Sequence, residues 1–139
     1  MKDKAFVLDV AARLGCDERR AETLIFAVFQ ELRDRLTAAE AADAMAQLPL
    51  SLKMLWASFD YSGRTVRRVH EYQFLEEVRR MAALKDQVEA EKAVLSVFGV
   101  LQEALGGLDG LHGEAGHIFS QLPSDLKTLW VRAARQEPA

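Results

Sequence analysis

The sequence has few of the features that mark secreted, membrane or nucleic-acid-binding proteins. Cys16 is the single cysteine, so no disulfide can form within the chain, and a reducing compartment is compatible with this. No unbroken apolar run suits a signal peptide or a membrane span. The net charge of -3 is too small for a surface that traps acidic substrates or holds nucleic acid globally. We therefore expect a cytoplasmic protein that does not enter a membrane.

The composition is that of a globular protein. Half of the 139 residues are hydrophobic and 28% are charged, which excludes a disordered chain. A chain of this length can bury roughly 68–70% of its unfolded surface, enough for a core without disulfides or metals. The length allows one ordinary domain or two very small ones.

A ten-residue segment occurs twice. Residues 47–56 return as residues 121–130 with seven of the ten positions identical, and both segments end in tryptophan. Weaker matches extend the likeness at offsets of 68, 69 and 74, and the offset changes only between predicted helices, where loops tolerate insertions. This pattern indicates internal duplication. The further matches pair Phe6 with Phe74, Val10 with Val78, residues 21–29 with 90–98, and Glu40-Ala41 with Glu114-Ala115.

Apolar spacing and capping residues predict helices throughout. The first helix starts near Asp3, a plausible N-cap, and ends at Gly15, because glycine enters the left-handed conformation without a Cβ clash. Asp17 can cap a second, long helix that runs to about Leu36 and whose broad apolar stripe Phe26 widens. Capping boxes at Thr37/Glu40 and Asp86/Glu89 predict two later helix starts.

We therefore predict an all-α fold of about eight helices, arranged as two tandem pseudo-symmetric four-helix units packed into one compact body. The long helices at 18–36 and 87–105 should lie at its centre. Residues 1–58 form the first repeat, 59–70 a basic aromatic connector and 71–139 the second repeat. Each unit is too small to have much stability alone, so the two should form one cooperative domain.

Glycines concentrate in the second repeat. Six of the eight lie between Gly99 and Gly116, and the loop at 106–113 holds the extra residues of this copy. Gly99 falls within a predicted helix, where glycine should lower the stability of the helix by about 1 kcal/mol relative to alanine. The loop lacks the context of a phosphate-binding motif, because no strand precedes it and no Gly-Lys-Ser/Thr follows.

The connector holds the one concentrated positive stretch. Residues 59–70 carry three basic groups and one acidic group, with Arg64, Arg67 and Arg68 close to Tyr61. The connector is then either a linker whose arginines pair with surface acids, or a contact for an anion or nucleic acid. Three arginines form a weak electrostatic footprint, since affinity scales with the number of phosphates neutralised.

These repeated motifs resemble a known bacterial family. The family, domain of unknown function 2267, shows a Phe-x-x-x-Val start, a long Ala/Leu-rich second helix and a Glu-Ala…Gln-Leu-Pro segment ending in an aromatic residue. The likeness covers about the whole chain. It implies an all-helical, duplicated protein with no established activity, so it supplies no catalytic residues. The matching positions are Phe6, Val10, Glu40-Ala41, Gln47-Leu48-Pro49 and Trp56, then Phe74, Val78, Glu114-Ala115, Gln121-Leu122-Pro123 and Trp130.

The repeated tryptophans fit packing better than ligand binding. Trp56 and Trp130 each close a short amphipathic helix, and an indole buries a large area in a core. The residues before them have structural roles as well: proline ends one helix and suits the first turn of the next. We assign structural roles to Leu48, Pro49, Leu122 and Pro123 in addition to the two tryptophans.

No catalytic, metal or cofactor constellation stands out. His112 and His117 are candidate metal ligands, but a separation of five residues does not place two side chains on one helix face. Cys16 lies just before a helix N-terminus, where the helix dipole can favour a thiolate, but the default interpretation is a small, half-buried side chain. No serine–histidine–aspartate pattern is present, and no cofactor is implied.

We expect a non-catalytic helical binding or regulatory module that offers a helical surface, or a groove between the two copies, to a protein partner. The alternative is an anion or nucleic-acid binder that uses Arg64–Arg68 with Tyr61. A second alternative is a metal-dependent or thiol enzyme that uses His112, His117 or Cys16.

Overall fold

The computed structural model describes residues 2–34, 71–104 and 124–135, with single positions at 39, 42, 46, 120 and 122. These parts of the chain are helical, with no strand among them, so the all-α prediction is confirmed there. The five helices are α1 (Lys2–Leu14), α2 (Glu18–Arg33), α3 (Glu71–Met81), α4 (Gln87–Ala104) and α5 (Ser124–Arg135).

The described residues do not support a count of about eight helices in two four-helix units. The third and fourth helices expected between Thr37 and Trp56 fall outside them, apart from helical backbone at Ala39, Ala42 and Ala46. The connector at 59–70 and the glycine-rich loop at 106–113 also lie outside the described residues.

The junction between α1 and α2 follows from two local signals. Gly15 adopts a φ of 66°, and the N–H of Cys16 donates to the carbonyl of Ala11 at 3.1 Å, which is the Schellman arrangement. Asp17 then caps α2, because its carboxylate accepts from the N–H of Arg20 at 2.8 Å. Both sequence predictions are confirmed.

The junction between α3 and α4 repeats this geometry with one strained residue. Ala83 occupies the place of glycine at a φ of 53°, and the N–H of Leu84 donates to the carbonyl of Arg79 at 2.8 Å. Asp86 accepts from the N–H of Glu89 at 3.0 Å, and the Glu89 carboxylate accepts from the N–H of Lys85 at 2.7 Å. The predicted capping box is therefore present, with its return bond made to the residue before the cap.

Asp3 is not the cap of the first helix. Helix α1 begins at Lys2, which places Asp3 inside the first turn. An acidic residue is favourable there, because the N-terminal end of a helix carries partial positive charge.

Helix α4 is the centre of the described structure. It packs against α1, α2, α3 and α5, while α2 packs against α1, α3 and α4. Aromatic contacts link these helices: the ring centroids of Phe6 and Phe29 are 6.1 Å apart, and those of Phe74 and Phe98 are 6.4 Å apart. The predicted central position of the two long helices is confirmed for their described parts.

Gly99 in α4 gives room to a side chain from α1. A Cβ atom at this position would come within 2.7 Å of a terminal guanidinium nitrogen of Arg13. That guanidinium forms an ion pair with Glu103, one turn further along α4. Glycine lowers the helix propensity at position 99, but its lack of a Cβ atom leaves space for the Arg13 side chain of α1.

Among the described residues, no helix combines the length and the apolarity needed to cross a bilayer.

Candidate binding groove between the second and third helices

An open groove of about 290 Å³ lies between α2 and α3. Its described lining consists of Glu22, Thr23, Phe26 and Ala27 from α2 and Met81 from α3. Ala27 is buried, Met81 is half-buried, and Glu22 and Thr23 are exposed. The groove therefore has an apolar interior and a polar rim along one turn of α2.

Phe26 is the aromatic side chain in the described lining of this groove, and its exposure corrects the sequence prediction. It was expected to widen the apolar stripe of α2, yet 40% of its surface is exposed. The buried face of α2 passes instead through Ala21, Leu24, Ile25, Ala27, Val28, Phe29 and Leu32. Phe26 lies off this face because successive helical residues are rotated by about 100°.

The Thr23 hydroxyl and the Arg20 guanidinium both donate hydrogen bonds to backbone carbonyl oxygens. Thr23 donates to the carbonyl of Arg19 at 3.2 Å, within its own helix. Arg20 reaches across to the carbonyl of Ala83 at 3.4 Å, which links the start of α2 to the strained turn after α3. No ion pair between described residues includes the Glu22 carboxylate.

The charges of α3 are organised as ion pairs along its own surface. Arg79 donates from Nε to a carboxylate oxygen of Glu76 at 2.8 Å, and Arg80 pairs with Glu77. The hydrogen bond from Arg79 lowers the pKa of Glu76 from its usual 4.5 to about 2, against an opposing effect of partial burial. These carboxylates are thus paired, whereas Glu22, the carboxylate in the described lining of the groove, is in no ion pair with another described residue.

Most of the residues proposed as sites from the sequence lie outside the described structure. This holds for the connector residues, the candidate metal ligands and the first copy of the repeated motif. The residues concerned are Arg64, Arg67, Arg68, Tyr61, His112, His117, Leu48, Pro49, Trp56 and Pro123. Within the described residues, no group of three or more His, Cys, Asp and Glu side chains is placed to hold a metal ion.

Two of the residues given structural roles from the sequence, Leu122 and Trp130, are described, and both lie in the core. Leu122 is 4% exposed and Trp130 is fully buried. The Trp130 ring lies 5.1 Å from that of Phe98, and its backbone carbonyl accepts a hydrogen bond from the Gln102 side chain at 2.9 Å. Neither is placed to meet a ligand.

Cys16 is half-buried beside the start of α2. Burial raises the pKa of its thiol, the negative charge of Asp17 raises it further, and Arg20 opposes both. The thiolate is therefore disfavoured, and Cys16 is the small, half-buried side chain that the sequence favoured by default. A thiol with a raised pKa is a poor nucleophile near neutral pH.

Sequence comparisons assign the chain to a protein family. A search of curated proteins found no significant match to it. A family model described as "Uncharacterized conserved protein (DUF2267)" matches residues 3–129, which is nearly the whole length of the chain. The resemblance noted from the repeated motifs is thereby confirmed, and this protein belongs to the DUF2267 family of uncharacterized conserved proteins.

Proposed function

We propose that this protein is a non-catalytic helical module that binds a protein partner through the groove between α2 and α3. The observation that carries the proposal is the exposure of Phe26, 40% of whose surface faces solvent beside Met81. Aromatic residues and methionine are enriched in the cores of protein interfaces, where burying them excludes water.

The size and shape of the groove favour a protein partner over a small molecule. Its volume of about 290 Å³ lies just below the range of about 300–1,000 Å³ for ligand pockets, and the groove is open to solvent. An open groove of this size can accept one or two apolar side chains from a partner. It does not enclose the 70–90% of ligand surface that small-molecule sites bury.

We also propose that the chain arose by internal duplication and works in the cytoplasm. The duplication is supported by contacts that recur at equivalent positions. The contact of Phe6 with Phe29 recurs as that of Phe74 with Phe98, and Asp17 and Asp86 each cap the long helix that follows. Helices α2 and α3 then belong to different copies, so the groove between them is an inter-copy groove.

Site-specific photo-crosslinking in the host cell tests the binding proposal. A photoreactive phenylalanine analogue at position 26 should give a discrete covalent adduct with another protein, because this side chain would lie in the interface. The same analogue at Val88, which is 64% exposed on α4, is the control and should give none. Equal adducts at both positions, or none at position 26, would refute the proposed interface.

A salt titration separates this proposal from nucleic-acid binding through the connector. Phosphate contacts weaken steeply with rising salt. If the connector binds nucleic acid, the full chain retains it at low salt, and changing Arg64, Arg67 and Arg68 together to glutamine abolishes the retention. Under the proposed function, neither retention nor an effect of the triple change is expected.

A further inference from the structure

We draw no further inference here: the strongest candidate, the apolar stripe that Ala5, Leu8 and Ala12 expose along α1, carries none because nothing in the described structure shows what covers it.

Discussion

Ala83 and Gly15 occupy the same place in two helix ends and differ by one methyl group. Both have positive φ, 53° for Ala83 and 66° for Gly15, a conformation that a Cβ atom disfavours. Nothing lies within 4 Å of a Cβ built at Gly15, so the strain there would come from the backbone alone. The two positions thus form a matched pair for measuring the cost of left-handed alanine in this protein.

We predict that Ala83→Gly stabilises the protein by about 0.5–1 kcal/mol, because strain is relieved at a small cost in unfolded-chain entropy. Gly15→Ala should destabilise it by about 1–2 kcal/mol. Urea unfolding of both variants measures the difference. Ala5→Gly, at an exposed position of α1, is the control and should destabilise by roughly 0.5–1 kcal/mol. Destabilisation by Ala83→Gly would contradict the strained conformation.

Glu76 gives the protein a defined acid sensitivity. Its folded-state pKa of about 2 lies below the usual 4.5, chiefly because Arg79 hydrogen-bonds to the carboxylate. Because its folded-state pKa is lowered, the ionised Glu76 carboxylate stabilises the folded state fully above about pH 4.5. This stabilisation is lost as the pH falls toward 2. We predict that Glu76→Gln flattens the decline of Tm between pH 4.5 and 2. Glu22→Gln removes a charge without an ion pair and is the control; an equal flattening in both would contradict the assignment.

At the scale of elements, α5 is held to α4 by a buried aromatic contact. Trp130 is fully buried against Phe98, and Gln102 donates to its backbone carbonyl. The ion pair of Arg132 with Glu91 is half-exposed and adds little, because such pairs are screened by solvent. The docking of α5 therefore depends mainly on the indole.

We predict that Trp130→Ala destabilises the protein by about 3–5 kcal/mol, since it empties an aromatic core position. Chemical denaturation followed by circular dichroism measures this loss. Val88→Ala is the control: this side chain is 64% exposed, and the change should stay within about 0.5 kcal/mol. A loss below 1 kcal/mol for Trp130→Ala would show that α5 is held by other contacts.

At the scale of the whole molecule, α4 connects the parts of the described structure. It packs against α1 and α2 from the first half of the chain, and against α3 and α5 from the second half. The halves consequently share a core. Each half by itself is marginal, because a domain of about 60 residues buries only about 60% of the surface that its unfolded chain exposes.

We predict that the two halves unfold in one transition. Tryptophan fluorescence, from Trp56 and Trp130, and far-UV circular dichroism should give the same urea midpoint, because the loss of α4 removes the core of both halves. Two separate transitions, or a fluorescence midpoint displaced from that of circular dichroism, would contradict a shared core.

Local signals determined the ends of the helices. Gly15 and Asp17 were assigned from the sequence because each acts within a few residues: one relieves a clash at its own Cβ position, and the other bonds an amide three residues on. The positive φ of Ala83 was not predicted, because alanine is not a residue type that indicates a left-handed conformation. The periodic apolar spacing likewise indicated which face of α2 is buried, although Phe26, which was expected to widen it, is exposed.

The sequence by itself determined the helical class, the family and the caps at Gly15, Asp17 and Asp86, because these depend on neighbours along the chain. The tertiary structure decided that Phe26 is exposed while Leu95 is covered, and that Arg13 lies over Gly99. It also decided that Glu91 has a cationic partner in α5, which the described structure does not give to Glu22. Equivalent positions in a repeated sequence differ in this way because exposure and ion pairing depend on which helix packs alongside, and helical periodicity within one segment does not encode its neighbour.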